Sequence, residues 1–438
     1  MNVNEGTEDE FVVYGYHRNK FRTALYFISC VLTGGLLWII LRWFPGKRAR
    51  FTHDACALEE AEIIILYTCD TKQSYVEDII EVDCNDISSK TLLVNWETNV
   101  AKNGKYRYFE HLFLRYCIES NDQVFEISGH DRLLNKTDIA NFAQQGVSAD
   151  AMVFRHTFHG TNIIDVPVRS FLVYALQEAA NPFYIFQVFS FTIWFIEEYV
   201  YYPAVIIVIS LLSITVAAYQ TRKQMLKLRT MVGKPQLVRC LNEANQTVEK
   251  WSLDLVPGDI LLVPRDGLEM PCDAILLENS CVVNESSLTG ESFPVSKKPF
   301  QDMECEDGIC FDVNQMKAYT LQYGTRVMQA NCRHSDEKHV RALVVRTGFC
   351  TLKGRLIRNI VYPKEIKFLF FREAFRFLMF LGCLGVIGFI YTFVILYKQG
   401  DITIGELFFN SLDIITIIIP PGLPACLSVG VVLSLIHI

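Results

Sequence analysis

The chain has 438 residues, 51% of them hydrophobic and 20% charged, with a mean hydropathy of +0.22, a balance that excludes a disordered chain and an ordinary soluble protein. Lys and Arg number 41 against 48 Asp and Glu, a net charge of -7, which excludes the basic surface of a nucleic-acid-binding protein. Fourteen cysteines are spread along the chain, several inside apolar runs (Cys30, Cys383, Cys426), so they read as reduced packing residues and not as a disulfide framework.

Crossing a hydrocarbon layer of about 30 Å takes roughly 20 apolar residues. The first such run covers residues 24–44, with basic residues on both flanks (Lys20 and Arg22 before, Arg42 and Lys47 after) and Gly34-Gly35 at its middle. It either spans once or dips in and returns, and the flanks and the glycine pair favour return. The acidic start (Glu5, Glu8, Asp9, Glu10) argues against a cleaved signal peptide. Residues 51–181 follow, with strand-like runs at 61–67, 90–96 and 106–116 that predict an α+β region. His156 and His159 form H-x-x-H there without a third ligand at a zinc-site spacing, and Cys305, Cys310, Cys332 and His334 fare no better, so no metal site is expected.

Apolar runs at 182–196 and 203–219, parted by Glu197, Glu198, Tyr199, Tyr201 and Tyr202, predict a transmembrane hairpin over 182–221 with an interfacial link. Basic residues then collect at 222–229 and again at 364–376, which places 222–372 in the cytosol, and the region 51–181 with it. Short β-type runs punctuated by turns (251–255, 260–263, 274–277, 281–283) predict a small, mostly β domain within 222–372. A turn carrying Thr289-Gly290-Glu291-Ser292 follows those strands: its glycine lets the backbone approach another surface, and its carboxylate stands at the tip, where it can polarise water. Residues 373–438 hold a final apolar pair of helices.

Within that pair, Pro420, Pro421 and Pro424 must break the last helix in mid-membrane, freeing backbone carbonyls to coordinate a cation. Asp413 lies two turns before the break. A carboxylate in a span is costly without a cationic partner and is read as functional, the alternative being an interfacial Asp near the luminal end. Carboxylate and free carbonyls together suit an extended organic polycation.

The stretches LVPGDI (255–260), MPCDAILL (270–277), VNESSLTGESFPV (283–295) and IIIPPGLPA (417–425), in this order and interleaved with these spans, resemble the P-type ATPases. The extra N-terminal apolar run, residues 164–190, Thr221 to Gln224 and VVRTGF (344–349) look like the type V group. Pro420-Pro421-Gly422-Leu423-Pro424 is similar to the PPALP of its subgroup B, the endolysosomal polyamine pumps; Gly422 departs from the usual Ala but is also small and neutral. The resemblance implies a membrane α-helical bundle, one re-entrant or spanning N-terminal segment plus four helices. To this are attached a mostly β actuator domain over 222–372 and an α+β N-terminal cytosolic region. It also implies that Glu291 activates the water that hydrolyses an aspartyl phosphate while Thr289, Gly290 and Ser292 shape and dock the loop, and that Asp413 with Pro420, Pro421, Gly422, Leu423 and Pro424 contacts a polyamine or related cation. ATP and Mg2+ are implied for the full pump and a late endosomal or lysosomal membrane for the whole, while the basic flank Lys47, Arg48 and Arg50 is compatible with anionic phospholipids at the N-terminal segment. No Asp-Lys-Thr-Gly-Thr occurs in the sequence, so this chain reads as an N-terminal portion expected to be inactive alone, or as a non-catalytic regulatory or lipid-sensing short form.

Overall fold

A computed structural model describes residues 2–3, 10–42, 44–69, 73–83, 105–118, 124–127, 139, 149–242, 244–302, 316–331, 339–362, 369–399 and 404–418. These fall into two compact units, one made of residues 1–165 and 232–364, the other of 166–231 and 365–438.

The first unit begins with an antiparallel sheet in which the strands Asn2–Val3, Phe11–Arg18, Ile63–Thr68 and Ser74–Asp78 are neighbours in that order, and His53–Cys56 also pairs with Phe11–Arg18. The apolar run at 63–66 is continuous because both faces are covered. Ile64 and Leu66 face a core shared with Phe109, Leu114 and Tyr116 of a second sheet, while Ile65 packs with Tyr16 and Ala49 on the opposite side. That second sheet is a meander of Ile80–Asp83, Lys105–His111, Leu114–Ile118 and Val124–Glu126. The single run expected at 106–116 is therefore two strands joined at Leu112 and Phe113, whose φ angles of 48° and 67° give the tight turn its left-handed backbone. The run at 90–96 lies outside the described residues.

Between the paired ends of Phe11–Arg18 and His53–Cys56 the chain makes an excursion through the helices Lys20–Leu32, Leu36–Arg42 and Pro45–Thr52. Asn19 caps the first helix by accepting from the Phe21 and Arg22 amides, its own amide donates to the Thr52 carbonyl at 3.2 Å, and Arg22 pairs with Asp54 at 3.0 Å. Both ends of the apolar excursion are thus tied to one sheet. The break falls at Gly34 and Gly35 (φ 60° and 87°), and the 13-residue helix before it is about 20 Å long, too short to cross the hydrocarbon layer by itself. Phe21, Val31 and Leu32 stand about four-fifths exposed along it.

Residues 232–364 form the predicted β domain. A six-stranded sheet runs in the order Thr247–Trp251, Leu237–Leu241, Ile260–Pro264, His339–Arg346, Asp273–Leu276, Thr320–Leu321, and packs through one apolar core on a four-stranded sheet of Leu268–Glu269, Arg326–Asn331, Ser280–Asn284 and Val295–Lys297. Residues 251–255 were expected as a strand. Trp251 ends a strand there, and Ser252–Asp254 form a 3-10 turn. Two motif acids serve the frame. Buried Asp259 accepts from the Val256 amide at 2.8 Å and pairs with Lys250, and buried Asp273 accepts from the Tyr323 and Leu352 amides at 2.8 and 2.9 Å.

The N-terminal region is fastened to this domain. Asn162 donates from Nδ2 to the carbonyls of Ser252 and Pro271, both at 2.8 Å, and its Oδ1 accepts from the Gly348 amide at 2.8 Å. Its backbone amide donates to the Leu253 carbonyl at 2.9 Å. Phe113, at the strained turn, stacks on Phe349 with ring centroids 4.4 Å apart and planes 7° from parallel, and Glu126 faces Arg355 at 3.5 Å. Burial, and then the charges of Arg155 and Arg115, push His159 down to about 3, which keeps it neutral. Among the described residues no group of His, Cys, Asp and Glu is arranged to hold a metal.

The second unit holds the helices Phe171–Ala179, Pro182–Ile196, Tyr201–Met231, Leu369–Gln399 and Ile404–Ile418. Tyr201–Met231 and the Met379–Gln399 part of the fourth are long and apolar enough to cross a membrane, and Phe171–Ala179 with Tyr184–Ile196 qualifies as a pair bent by 68°. Two boundaries differ from the sequence reading. Residues 166–181 fold with the membrane helices, and the helix read as ending near 219 continues through Arg222, Lys223, Lys227 and Arg229 because no breaker comes before Gly233 and Pro235. Leu369–Gln399 lies close to Ile404–Ile418 at Gly388, where a Cβ would meet Ile414 Cγ2 at 2.8 Å, a small-residue contact that lets membrane helices approach.

Replacing Asn162 with Ala strips hydrogen-bond partners from Ser252, Pro271 and Gly348 together. We expect a loss of at least about 2 kcal/mol in chemical unfolding of the detergent-solubilised chain, with faster proteolysis near residue 162.

Candidate functional site

The loop of 289–292 grows from the end of the strand Ser280–Asn284. Glu285 starts a single helical turn, Ser286–Thr289, whose Leu288 and Thr289 amides donate to the Glu285 carbonyl at 2.9 and 3.0 Å. Gly290 closes the turn with φ 78°, a left-handed conformation that a side chain would strain, and its amide donates to the Ser286 carbonyl at 3.0 Å. The Thr289 hydroxyl donates to the Glu285 carbonyl at 3.1 Å and accepts from the Glu291 amide at 3.2 Å, fixing the direction in which Glu291 leaves the turn. On its flank, Ser287 donates to the Gly324 carbonyl at 2.8 Å. Thr289, Gly290, Glu291 and Ser292 are all exposed, and Phe293 beside them is 81% exposed.

Beneath the loop the charges are buried. Lys297, 2% exposed, lies 2.6 Å from Glu285 and donates to the Lys317 carbonyl at 2.7 Å. Neither residue was singled out from the sequence, because Val-Ser-Lys-Lys reads as a solvated strand end. Only the pairing of Lys297 with Cys281, which is fully buried, shows that this lysine points inward. Asp259, Asp273 and Glu285 thus all have buried partners, and Glu291 is the motif acid left facing water.

A second polar cluster lies in the helical unit. Trp194, 5% exposed, donates from Nε1 to Asp413 Oδ1 at 2.8 Å, and the Thr416 hydroxyl is 2.8 Å from the same oxygen and 3.0 Å from the indole nitrogen. The Trp194 ring lies 5.0 Å from that of half-exposed Tyr202. Glu197, in the link between two helices and outside both, is pushed up to about 7 by burial first and by the neighbouring Asp413 second. Two carboxyl groups and two aromatic rings therefore gather around Asp413, which is the one substrate-site residue named from the sequence that lies among the described residues. The link residues Glu197 and Tyr202 had been read as a hairpin tip, and nothing in the sequence pairs them with a residue more than 200 positions later. Pro420, Pro421, Gly422, Leu423 and Pro424 lie outside the described residues.

These features can be set beside known proteins. Residues 7–119 match the family model described as P5-type ATPase cation transporter, and residues 234–361 match that of the P-type ATPase actuator domain. The N-terminal part of the chain is thus similar to P5-type ATPases and the β domain to P-type ATPase actuator domains. The chain is 35% identical over 98% of its length to polyamine-transporting ATPase 13A3 of Homo sapiens, of which it covers 37%, and 35% identical, again over 98%, to probable cation-transporting ATPase catp-6 of Caenorhabditis elegans, covering 34%. Polyamine-transporting ATPase 13A2 of Mus musculus is 33% identical over 95% of the chain, with 37% covered. The chain thus spans little more than a third of the length of these relatives.

The Trp194, Asp413 and Thr416 contacts share one oxygen, so their energies should be coupled. A double-mutant cycle of Trp194→Phe and Thr416→Val, read by thermal unfolding in detergent, should show a coupling of about 0.5–3 kcal/mol; additivity would mean the three do not act as a network.

Proposed function

We propose that this chain supplies the membrane-anchored actuator part of an ATP-driven pump that moves polyamines or related organic cations from an endolysosomal lumen to the cytosol. The observation that carries this reading is the exposure of Glu291 at the tip of a braced loop whose neighbouring acids are all engaged below it. Glu291 acts as general base on water attacking an aspartyl phosphate presented by a phosphorylation domain. The water oxygen forms the new bond to phosphorus, the bond to the aspartate oxygen breaks, and the water proton passes to Glu291. Thr289 and Gly290 set the angle of approach, and Ser292 docks the loop.

ATP and Mg2+ belong to the pump as a whole. The residues described here do not fit them: no acidic cluster is arranged for a metal, and the sequence has no Asp-Lys-Thr-Gly-Thr. The N-terminal excursion, with apolar side chains exposed along its first helix and Arg42, Lys47, Arg48 and Arg50 after it, suits insertion into one leaflet carrying anionic phospholipids. A late endosomal or lysosomal membrane follows from the family resemblance.

Where the link meets the helices, Asp413 and Glu197 offer carboxyl oxygens to an ammonium group, and the Trp194 and Tyr202 rings offer faces that attract a cation. Below pH about 7 Glu197 gains a proton and its negative charge is lost. Spermine binding, followed by tryptophan fluorescence, should therefore weaken as pH falls from 8 to 6, and Glu197→Gln should flatten that dependence.

Catalysis is testable in a chimaera in which this chain replaces the matching part of human polyamine-transporting ATPase 13A3. Glu291→Gln should leave phosphorylation by ATP intact and slow phosphoenzyme decay by about 100-fold or more. Decay at the parental rate would remove Glu291 from the hydrolytic step.

A further inference from the structure

We propose that Lys297 is a positioning residue for the actuator loop, holding Glu291 in place through Glu285. The chain of contacts is continuous. Lys297 lies 2.6 Å from the Glu285 carboxylate, and the Glu285 carbonyl receives the Leu288 amide, the Thr289 amide and the Thr289 hydroxyl. That same hydroxyl receives the Glu291 amide at 3.2 Å. Three of the bonds that lead to Glu291 therefore end on the one residue that Lys297 holds, while Ser287 braces the turn from the flank through Gly324.

The pair also has the character of a fixed anchor. Lys297 is 2% exposed and the Glu285 side chain 12%, so neither end is free to exchange its partner for water. The second contact of Lys297, to the carbonyl of Lys317 at 2.7 Å, ties the loop base to the 3-10 turn Lys317–Tyr319, beyond the residues that build the loop itself. Removing one partner of such a pair leaves the other charge buried without compensation, and the cheapest relief is for the short turn carrying Glu285 to move toward water. A four-residue turn has little helical cooperativity of its own to resist that movement. Gly290 closes the turn through its amide but leaves it open to movement, since no heavy atom outside its own neighbours lies within 4 Å of where its Cβ would be. The rigidity of Glu291 is accordingly set from below, by the buried cation.

Hydrogen exchange on the intact chain in nanodiscs tests the structural half directly. Lys297→Met and Glu285→Gln should each speed exchange of the amides at 288–291 by about tenfold or more, while the paired strands 260–264 and 339–346 keep their parental rates. Lys297→Arg should hold the loop within about threefold of the parent. Glu285→Gln keeps the size of the side chain and leaves Lys297 bonded to Lys317, so it decides the matter if Lys297→Met fails to fold. Parental loop exchange in Glu285→Gln would overturn the proposal.

The kinetic half rests on the reading of Glu291 as the hydrolytic base. In the chimaera, Lys297→Met should slow phosphoenzyme decay about tenfold with phosphorylation unchanged, and Lys297→Arg should restore most of it. Equal slowing of both steps would mean that Lys297 serves folding alone, and would overturn the positioning role. A loosened loop with unaltered decay in both Lys297→Met and Glu291→Gln would instead sink the reading of Glu291 and leave the anchor standing.

Discussion

Asn162 stands where the N-terminal region meets the actuator, with its side-chain amide spent on two carbonyls and one amide of the other module. Buried backbone groups without water must find partners in the protein, and here one residue of the first module satisfies three of the second. The consequence is mechanical. The β domain and the N-terminal sheets are held together, and those sheets hold both ends of the apolar excursion at 20–52. The strained turn at Leu112 and Phe113 belongs to the same joint, since its left-handed backbone is offset by the stacking of Phe113 on Phe349.

Charge placement follows a similar division inside the actuator. Asp259, Asp273 and Glu285 are drawn inward to tie turns to strands, and each is met by an amide or a lysine. Glu291 lies on the same run of motifs yet is delivered to solvent by the left-handed Gly290. On the function proposed above, Glu291 has to be exposed to meet a reacting group on another domain and framed to hold an angle, and this loop suits both. In the helical unit a polar cluster of comparable economy gathers around Asp413, where an indole, a hydroxyl and a second carboxyl converge.

Much of this was legible in the sequence because it depends on local rules. The strands at 260–264, 273–276 and 280–284 follow from short β-branched runs between turn residues, and the break in the first apolar run follows from Gly34-Gly35. That Thr-Gly-Glu-Ser forms an exposed turn after the strands was legible from its glycine and polar residues. What stayed hidden depends on pairing over distance. Lys297 is indistinguishable from Lys298 until strand register turns it inward. Trp194 and Glu197 become part of a site only when two helices more than 200 residues apart are brought together. Asn162 carries no local signature, because its partners lie in three separate turns. The continuation of the helix through 231 was missed for a different reason: the hydropathy signal ends at the membrane surface while helix propensity does not.

The account turns on whether Glu291, so placed, activates water. Exchange of oxygen-18 from water into inorganic phosphate by the chimaera measures that step without any contribution from ATP binding. Exchange in the parent that falls about 100-fold or more in Glu291→Ala is the predicted result; exchange that continues at the parental rate in that variant would contradict it.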